Sequence, residues 1–317
     1  MGTLPLFDEP GAFDREALRR RLADLTREGI YIGTSSWKYE GWLGQIYTRE
    51  RYLSRGRFSQ RRFEQECLGE YAEVFPVVCG DFSFYQFPTE EFWQRLFASA
   101  PAQLRYAFKA PEEITVKQFP SHPRYGPKAG GDNPTFLDAA LFDAAFLAPL
   151  RPYRDRVAVL ILEFGQFSKQ CYRNVTEFIE ELDPFLARLP ADFRYAVEVR
   201  NEDFLCAGYF ACLRRRRVAH VFNSWTRMPE IGLQMEFPQA MTTDFVIARA
   251  LLRPGRPYEE AVQRFRPYAT VQDPYPGARQ ALRDLMARSR ERNEPAYIFV
   301  NNRLEGNAPG TIESLIG

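Results

Sequence analysis

Several residue types and motifs are scarce in this 317-residue chain, and each scarcity excludes a class of protein. The only histidines are His122 and His220, so a histidine-rich dizinc centre is excluded. The cysteines are odd in number and form no CxxC pair: Cys67, Cys79, Cys171, Cys206 and Cys212. This pattern argues against a disulfide framework or a structural zinc site, and it predicts a reducing compartment.

The chain also lacks long apolar runs and an excess of either charge. The N-terminus MGTLPLFDEPGAFDREALRR has no apolar core of signal-peptide length, and no other segment is long enough to span a membrane. The 42 Lys and Arg residues nearly cancel the 41 Asp and Glu residues, leaving a formal charge of +1. A global attraction to nucleic acid or to an anionic membrane is therefore absent. We expect a cytoplasmic protein without a membrane partner.

What the chain does contain is a rhythm of short apolar runs separated by longer segments of helical period. The runs are residues 31–36, 77–85, 105–110, 157–164, 194–200, 219–224, 245–250 and 296–301. Strands that alternate with helices specify parallel βαβ units, and eight units close a barrel. The alternative, an open doubly wound sheet, usually has a glycine-rich GxGxxG or GxxxxGK[ST] turn after its first strand, whereas this chain has GTSSWKYEGWLG there. The predicted fold class is therefore α/β, a single (β/α)8 TIM-type barrel.

One barrel domain accounts for nearly the whole chain. Residues 1–28 are predicted as an N-terminal tail and an extra helix, with the helix at 14–28 and Gly29 as its stop, and residues 29–317 as the barrel. Segments 119–134 and 253–277 are predicted as long loops, and the connection at 225–243 as irregular.

Five motifs, in this order, resemble signatures of the YecE-like family, also called domain of unknown function 72. They are GTSSWKYEGWLGQIY (33–47), FSFYQFP (82–88), FKAPEEIT (108–115), VEVR (197–200) and YIFVNNRLEGNAP (297–309). The resemblance covers essentially everything from residue 30 onward and implies a TIM barrel. It implies no particular activity, because the family has no established one.

The chain departs from the family pattern at four places, so the resemblance implies a divergent member whose site chemistry can differ. The family has a Glu-hydrophobic-Asn stretch before the FY pair, a His after IT, a Gln-Leu-Pro-Pro run ending the fourth strand, and a His after VE-x-R. This chain has, at those four places in turn, Cys79-Gly80-Asp81, Val116, Glu163-Phe164-Gly165-Gln166 and Asn201.

Catalytic groups of a β/α barrel lie at the C-terminal ends of its strands. Glu198 and Arg200 are two residues apart and share a strand face, which predicts a salt bridge that orients Arg200 toward an anionic ligand, or a plain ion pair that locks the rim. Glu163 ends the adjacent strand, and two carboxylates across one cavity are what glycoside hydrolysis needs. The alternative is that Glu163 only accepts hydrogen bonds from loop amides or an arginine.

Two further strand-end residues complete the predicted catalytic set. Lys109 closes the third strand, where it can form a Schiff base, bind phosphate, or simply pair with Asp81 or Glu163. Asp81 with the glutamates offers oxygen ligands for Mg²⁺ or Mn²⁺ as an alternative, although no cofactor is predicted outright.

The predicted ligand-binding residues surround these groups. Arg200 and Arg249 are candidate anion clamps, and Trp37, Tyr39 and Tyr85 form a candidate aromatic wall for sugars or nucleobases, with rim packing as the alternative. After the eighth strand, Asn301 and Asn302 enter a loop of the kind that often holds phosphate in barrels.

The sequence thus favours an enzyme acting on a small polar or anionic ligand: a hydrolase or lyase of a sugar, nucleotide or phosphodiester. The alternative is a non-catalytic protein that binds nucleic acid or a nucleotide. A third reading is a scaffold whose polar barrel mouth is structural.

Overall fold

A closed barrel of eight parallel strands forms the centre of the molecule, in a computed structural model that describes residues 13–317. The strands are β1 (Ile30–Thr34), β2 (Val77–Gly80), β3 (Arg105–Lys109), β4 (Val157–Glu163), β5 (Tyr195–Glu198), β6 (Ala219–Ser224), β7 (Val246–Ala250) and β8 (Ala296–Val300). They follow one another around the barrel in chain order, and β8 pairs with β1 to close it. This confirms the predicted α/β fold of the TIM-barrel type.

Helices surround the barrel. Those of eight or more residues are α1 (Arg15–Arg27), α2 (Gln60–Tyr71), α3 (Glu90–Ala98), α4 (Val175–Arg188), α5 (Ala207–Arg216), α6 (Tyr258–Phe265), α7 (Pro276–Arg292) and α8 (Ala308–Ile316). Between β3 and β4 the helical segment is composite: Ala139–Phe142, Asp143–Leu147 and Ala148–Leu150. Shorter turns are Glu40–Trp42, Arg49–Tyr52, Phe82–Tyr85, Glu112–Thr115, Pro123–Lys128, Arg151–Arg156, Glu202–Phe204, Ile231–Gln234 and Asn302–Glu305. A small antiparallel ribbon pairs Leu53–Ser54 with Arg57–Phe58.

Helix α1 is the extra N-terminal helix expected before the first strand. The Asp14 side chain caps it by accepting a hydrogen bond from the Ala17 amide at 2.8 Å. Gly29, with φ of +81°, follows its last turn and leads into β1.

Two sequence predictions are wrong in detail. The run 77–85 is a strand only as far as Gly80, because Phe82–Tyr85 turns into a short helix in which the Ser83 hydroxyl donates to the Lys109 carbonyl at 2.7 Å. The predicted loop at 253–277 contains α6, whose buried face carries Ala261 and Phe265.

The barrel interior sets the position of the site. A buried cluster of inward-facing side chains fills it, including Cys79, Ala107, Ile161, Ala196, Val221, Ile247 and Phe299. Because side chains alternate across a strand, the residue two places further along each strand faces the same interior, nearer the C-terminal mouth. At that level the chain has Asp81, Lys109, Glu163, Glu198, Asn223, Arg249 and Asn301.

Among residues 13–317 there is no helix that is both long and apolar enough to cross a membrane.

Candidate functional site

The C-terminal ends of five strands bring six predicted site residues together. We call this group the charge cluster: Asp81, Lys109, Glu163, Glu198, Arg200 and Arg249. Three carboxylates face three cations, so the cluster carries no net formal charge.

Glu163 is the centre of the cluster because its carboxylate contacts all three cations. The oxygens of Glu163 lie 3.0 Å from Lys109 Nζ, 3.1 Å from Arg200 Nη2 and 2.6 Å from Arg249 Nη1. Burial alone would raise the pKa of this carboxyl group, but the charges of Lys109, Arg200 and Arg249 hold it well below its usual value. Glu163 therefore stays ionised and is unsuited to donate a proton.

Glu198 lies beneath the two arginines. Its side chain is 0% exposed, its Oε1 is 2.6 Å from Arg200 Nη2, and its Oε2 accepts a hydrogen bond from Arg249 Nη1. Burial opposes the charge on Arg249, yet Glu198 and Glu163 raise the pKa of this guanidinium well above its usual value. Of the two roles predicted for Glu198, this geometry fits the orienting group better than the acid or base.

Aromatic rings hold two of the cations from the other side. The Arg200 guanidinium lies over the Trp225 ring at 3.9 Å from its centroid, and Lys109 Nζ lies over the Phe84 ring at 3.8 Å. Each cation is thus fixed between a carboxylate and a ring face, which limits the positions it can adopt.

Asp81 is the most accessible member of the cluster. Its side chain is 39% exposed, and its Oδ1 is 4.0 Å from Arg249 Nη2. Several buried polar atoms near the cluster have no hydrogen-bond partner within the described chain, among them Ser35 Oγ, Asp81 Oδ1, Arg200 Nε and Arg249 Nε. These atoms give the mouth both donors and acceptors that the protein itself does not use.

A cavity of about 490 Å³ opens onto the cluster at Glu163 and Arg200. Its other lining residues are Gly165, Gln166, Trp225, Thr226, Arg227, Pro257, Tyr258 and Glu259. This volume is in the usual range for a small-molecule site. Sequence reasoning missed Trp225, Arg227 and Tyr258, because they lie in segments predicted only as irregular connection or loop.

The three aromatic residues predicted as one wall occupy three different environments. Trp37 is buried, meets Phe82 edge-on at 6.3 Å and lines a separate cavity of about 540 Å³ between α2 and α3. Tyr39 packs on Trp42 and Tyr268, with ring centroids 5.0 and 5.5 Å away.

The third, Tyr85, is 57% exposed with the Arg124 guanidinium 5.1 Å from its ring centroid. None of the three lines the cavity over Glu163 and Arg200. The aromatic side of that cavity consists instead of Trp225 and Tyr258.

Asn301 and Asn302 fix the turn that follows β8. Asn301 Oδ1 accepts a hydrogen bond from the Arg303 amide at 3.0 Å. Asn302 Oδ1 accepts from Trp42 Nε1 at 3.1 Å and from the Ala308 amide at 2.8 Å. Both side-chain oxygens are thus used within the protein, and Asn301 fixes the backbone of Arg303.

The carboxylates of the cluster are poorly disposed for a divalent cation. Within residues 13–317 no group of three or more His, Cys, Asp or Glu side chains is arranged to hold a metal ion. The oxygens of Glu163 and Glu198 already contact Lys109, Arg200 and Arg249, and these are the oxygens that Mg²⁺ would need.

The fold and this cluster define a β/α-barrel protein with a charged, partly buried C-terminal mouth. The family model described as "Protein of unknown function DUF72" matches residues 31–317. The chain therefore belongs to the DUF72 family, as its motifs indicate.

Solved structures of this family share the fold at low sequence identity. A DUF72 family protein from Thermotoga maritima MSB8 is 20% identical with a TM-score of 0.59, covering 90% of this chain and 97% of its own. Another, from Enterococcus faecalis V583, is 15% identical with a TM-score of 0.56, covering 90% of this chain and 95% of its own. No curated protein matches the chain.

Proposed function

We propose that this protein is an enzyme that acts on a phosphate ester or phosphodiester at the C-terminal mouth of the barrel, as a hydrolase or lyase. Arg200 carries the proposal. Its guanidinium reaches the cavity, is held by Glu198 and Glu163, stacks on Trp225, and keeps a buried Nε without a partner in the described chain. A cation fixed in this way can stabilise negative charge that develops on a reacting phosphate group without reorganising.

The energetic cost of the cluster supports a functional origin. Removing several charged side chains from water costs several kcal/mol for each ion, and apolar replacements are often as stable or more stable. A barrel mouth has no structural need for Lys109, Arg200 and Arg249 together. Their concentration at the strand ends, where barrel enzymes place their catalytic groups, favours selection for chemistry.

Glycoside hydrolysis fits the same residues less well. That chemistry needs one carboxyl group that donates a proton to the leaving oxygen. Glu163 is held ionised by three cations, and Glu198 is fully buried beneath the arginines. In the proposed reaction Glu163 instead accepts a hydrogen bond from the attacking water or hydroxyl group, while Arg200 and Lys109 face the phosphate oxygens. The attacking oxygen forms a bond to phosphorus as the bond from phosphorus to the leaving oxygen breaks. The proton of the attacking group passes through solvent to the leaving oxygen, which departs as the alcohol.

The second candidate is a non-catalytic nucleotide-binding protein. The burial of Glu198 and the lowered pKa of Glu163 favour it, because they leave this pair without a proton donor. Turnover separates the two candidates.

The test uses chromogenic esters and matched arginine variants. We expect wild-type protein to release nitrophenolate from bis(p-nitrophenyl) phosphate or p-nitrophenyl phosphate, but not from p-nitrophenyl glucoside. Arg200→Gln should lower the rate by roughly 100-fold, the usual cost of losing one preorganised donor. Arg188→Gln is the control, since Arg188 is exposed in the last turn of α4, at the opposite end of the barrel.

Circular dichroism and the melting temperature of each variant establish that it is folded. If Arg200→Gln unfolds, Arg200→Lys replaces it, because lysine keeps the charge but not the planar stacking on Trp225. If the Arg200 and Arg188 variants hydrolysed the esters at equal rates, Arg200 would have no role in the reaction. Nucleotide binding without turnover of any ester would favour the second candidate.

A further inference from the structure

We propose that the ligand of the mouth is a nucleoside monophosphate, with its base against Trp225 and Tyr258 and its phosphate between Arg200 and Arg303, the arginines that contact those two rings. The inference rests on the proposed function, since it concerns the same mouth, and it adds the identity of the ligand and a residue that binds it.

The aromatic wall of the cavity consists of Trp225 and Tyr258. Their ring centroids are 6.3 Å apart with the planes inclined by 44°, and both rings line the cavity of about 490 Å³. A base stacked between two rings would need them about 7 Å apart, so the gap is too narrow for one. Tyr258 is 42% exposed, so its free surface and that of Trp225 offer a face on which one base can stack.

Arg303 supplies the positive charge that the cluster lacks. Lys109, Arg200 and Arg249 are all neutralised by carboxylates. Arg303, by contrast, has no carboxylate within 4.0 Å in residues 13–317, and its Nε is buried without a hydrogen-bond partner in that part of the chain. Its charge is therefore available to an anionic ligand.

A contact with Tyr258 places Arg303 beside the cavity, next to the residues that line it. Its guanidinium lies 4.7 Å from the Tyr258 ring centroid, on the side of the aromatic wall. Burial raises the pKa of the Tyr39 phenol, and the positive charge of Arg303 opposes that shift. The Asn301 side chain fixes the Arg303 backbone amide at 3.0 Å, so the arginine starts from a rigid turn.

The combination selects a ligand that is planar at one end and anionic at the other. A base alone would leave Arg303 uncompensated, and inorganic phosphate would leave the aromatic wall unused. A cavity of about 490 Å³ fits one nucleotide better than a polymer. A nucleoside monophosphate satisfies both halves of the site.

The experiment compares four probes by isothermal titration calorimetry: adenosine monophosphate, ribose 5-phosphate, adenosine and inorganic phosphate. We expect adenosine monophosphate to bind at least ten-fold more tightly than either ribose 5-phosphate or adenosine. Tyr258→Leu should reduce its affinity roughly ten-fold while leaving ribose 5-phosphate unchanged, and Tyr258→Phe should restore it. Arg303→Gln should lower the affinity for adenosine monophosphate to that for adenosine.

A second arginine–aromatic pair at the surface provides the matched control. Arg124 lies over the Tyr85 ring as Arg303 lies over Tyr258, but Arg124 pairs with Glu112 at 2.7 Å. Tyr85→Leu and Arg124→Gln should leave all four affinities unchanged. Tyr85 and Tyr258 are both exposed, so neither leucine variant is expected to unfold the protein.

The outcomes separate this inference from the proposed function. If ribose 5-phosphate binds as tightly as adenosine monophosphate, or Tyr258→Leu behaves like Tyr85→Leu, the nucleotide assignment is wrong while a phosphate ester remains the substrate class. If nitrophenyl phosphates are hydrolysed by the wild type and by Arg303→Gln but no nucleotide binds to the wild type, the nucleotide assignment is wrong and the proposed function stands. If no phosphate compound binds and none is hydrolysed, both proposals fail.

Discussion

Replacing Glu163 by glutamine tests the electrostatic centre of the site. Gln keeps the shape of the side chain and one oxygen that can accept from Arg249, but it removes the negative charge that three cations share. Removing one partner of a buried ion pair costs about 3–5 kcal/mol. Because glutamine retains part of the hydrogen bonding, we expect the lower end, about 3 kcal/mol of unfolding free energy, and a fall in melting temperature of roughly 6 °C.

The assay is urea unfolding of Glu163→Gln, Lys109→Met and the double variant. Lys109 is one of the cations left uncompensated by the glutamine, so removing it relieves part of the excess positive charge. The loss of unfolding free energy in the double variant should therefore be smaller than the sum of the two single losses, by about 1 kcal/mol or more. A loss below about 1 kcal/mol for Glu163→Gln, or strict additivity, would refute the reasoning.

The pH dependence gives an independent check on the same group. The folded-state pKa of Glu163 is held well below its usual value of 4.5. The contribution of its charge to the free energy of unfolding is therefore fully present above pH 4.5. It is lost as the pH falls through the folded-state pKa. Wild-type protein should therefore lose more stability below pH 4.5 than Glu163→Gln does.

Two further predictions concern the barrel itself. Burial lowers the pKa of His220 from 6.5 to about 4, so the stability from keeping it neutral is complete above pH 6.5 and is lost as the pH falls toward 4, by about 3 kcal/mol in total. Urea unfolding at several pH values should show this fall in unfolding free energy in the wild type and not in His220→Gln. An equal dependence on pH in both proteins would contradict the prediction. In Gly33→Ala the new Cβ would lie 1.8 Å from the Val77 carbonyl oxygen, so this variant should lose more than about 3 kcal/mol or fail to fold, whereas Gly165→Ala, with nothing within 4 Å, should melt like the wild type.

The fold and the charge cluster were predictable from the sequence for the same physical reason. Alternation of apolar runs with helical segments specifies the barrel. Because side chains alternate along a strand, every second residue up to the C-terminal end faces the barrel interior. Glu198 and Arg200 share a face by that period, and Glu163 and Arg249 end neighbouring or facing strands. The structure brings these four side chains together.

The loops were less predictable, because no periodic pattern governs them. Trp225 and Tyr258 follow strands β6 and β7 in segments rich in proline, which is typical of loops. Helix α6 was missed because it is only eight residues long and is flanked by Pro257 and Pro267. The aromatic run at 82–85 has strand-like composition, yet it forms a short helix from which Phe82 packs against Trp93 and Phe108. In each case tertiary contacts decide the structure, and the local sequence alone does not.

A crystal structure of the protein with adenosine monophosphate is the most direct test of the proposed site at the barrel mouth. The phosphate should lie within hydrogen-bonding distance of the Arg303 guanidinium, the base should stack on Tyr258 or Trp225, and Glu163 should still contact Lys109 and both neighbouring arginines. Nucleotide density away from the C-terminal mouth, or a Glu163 carboxylate turned away from these cations, would contradict it.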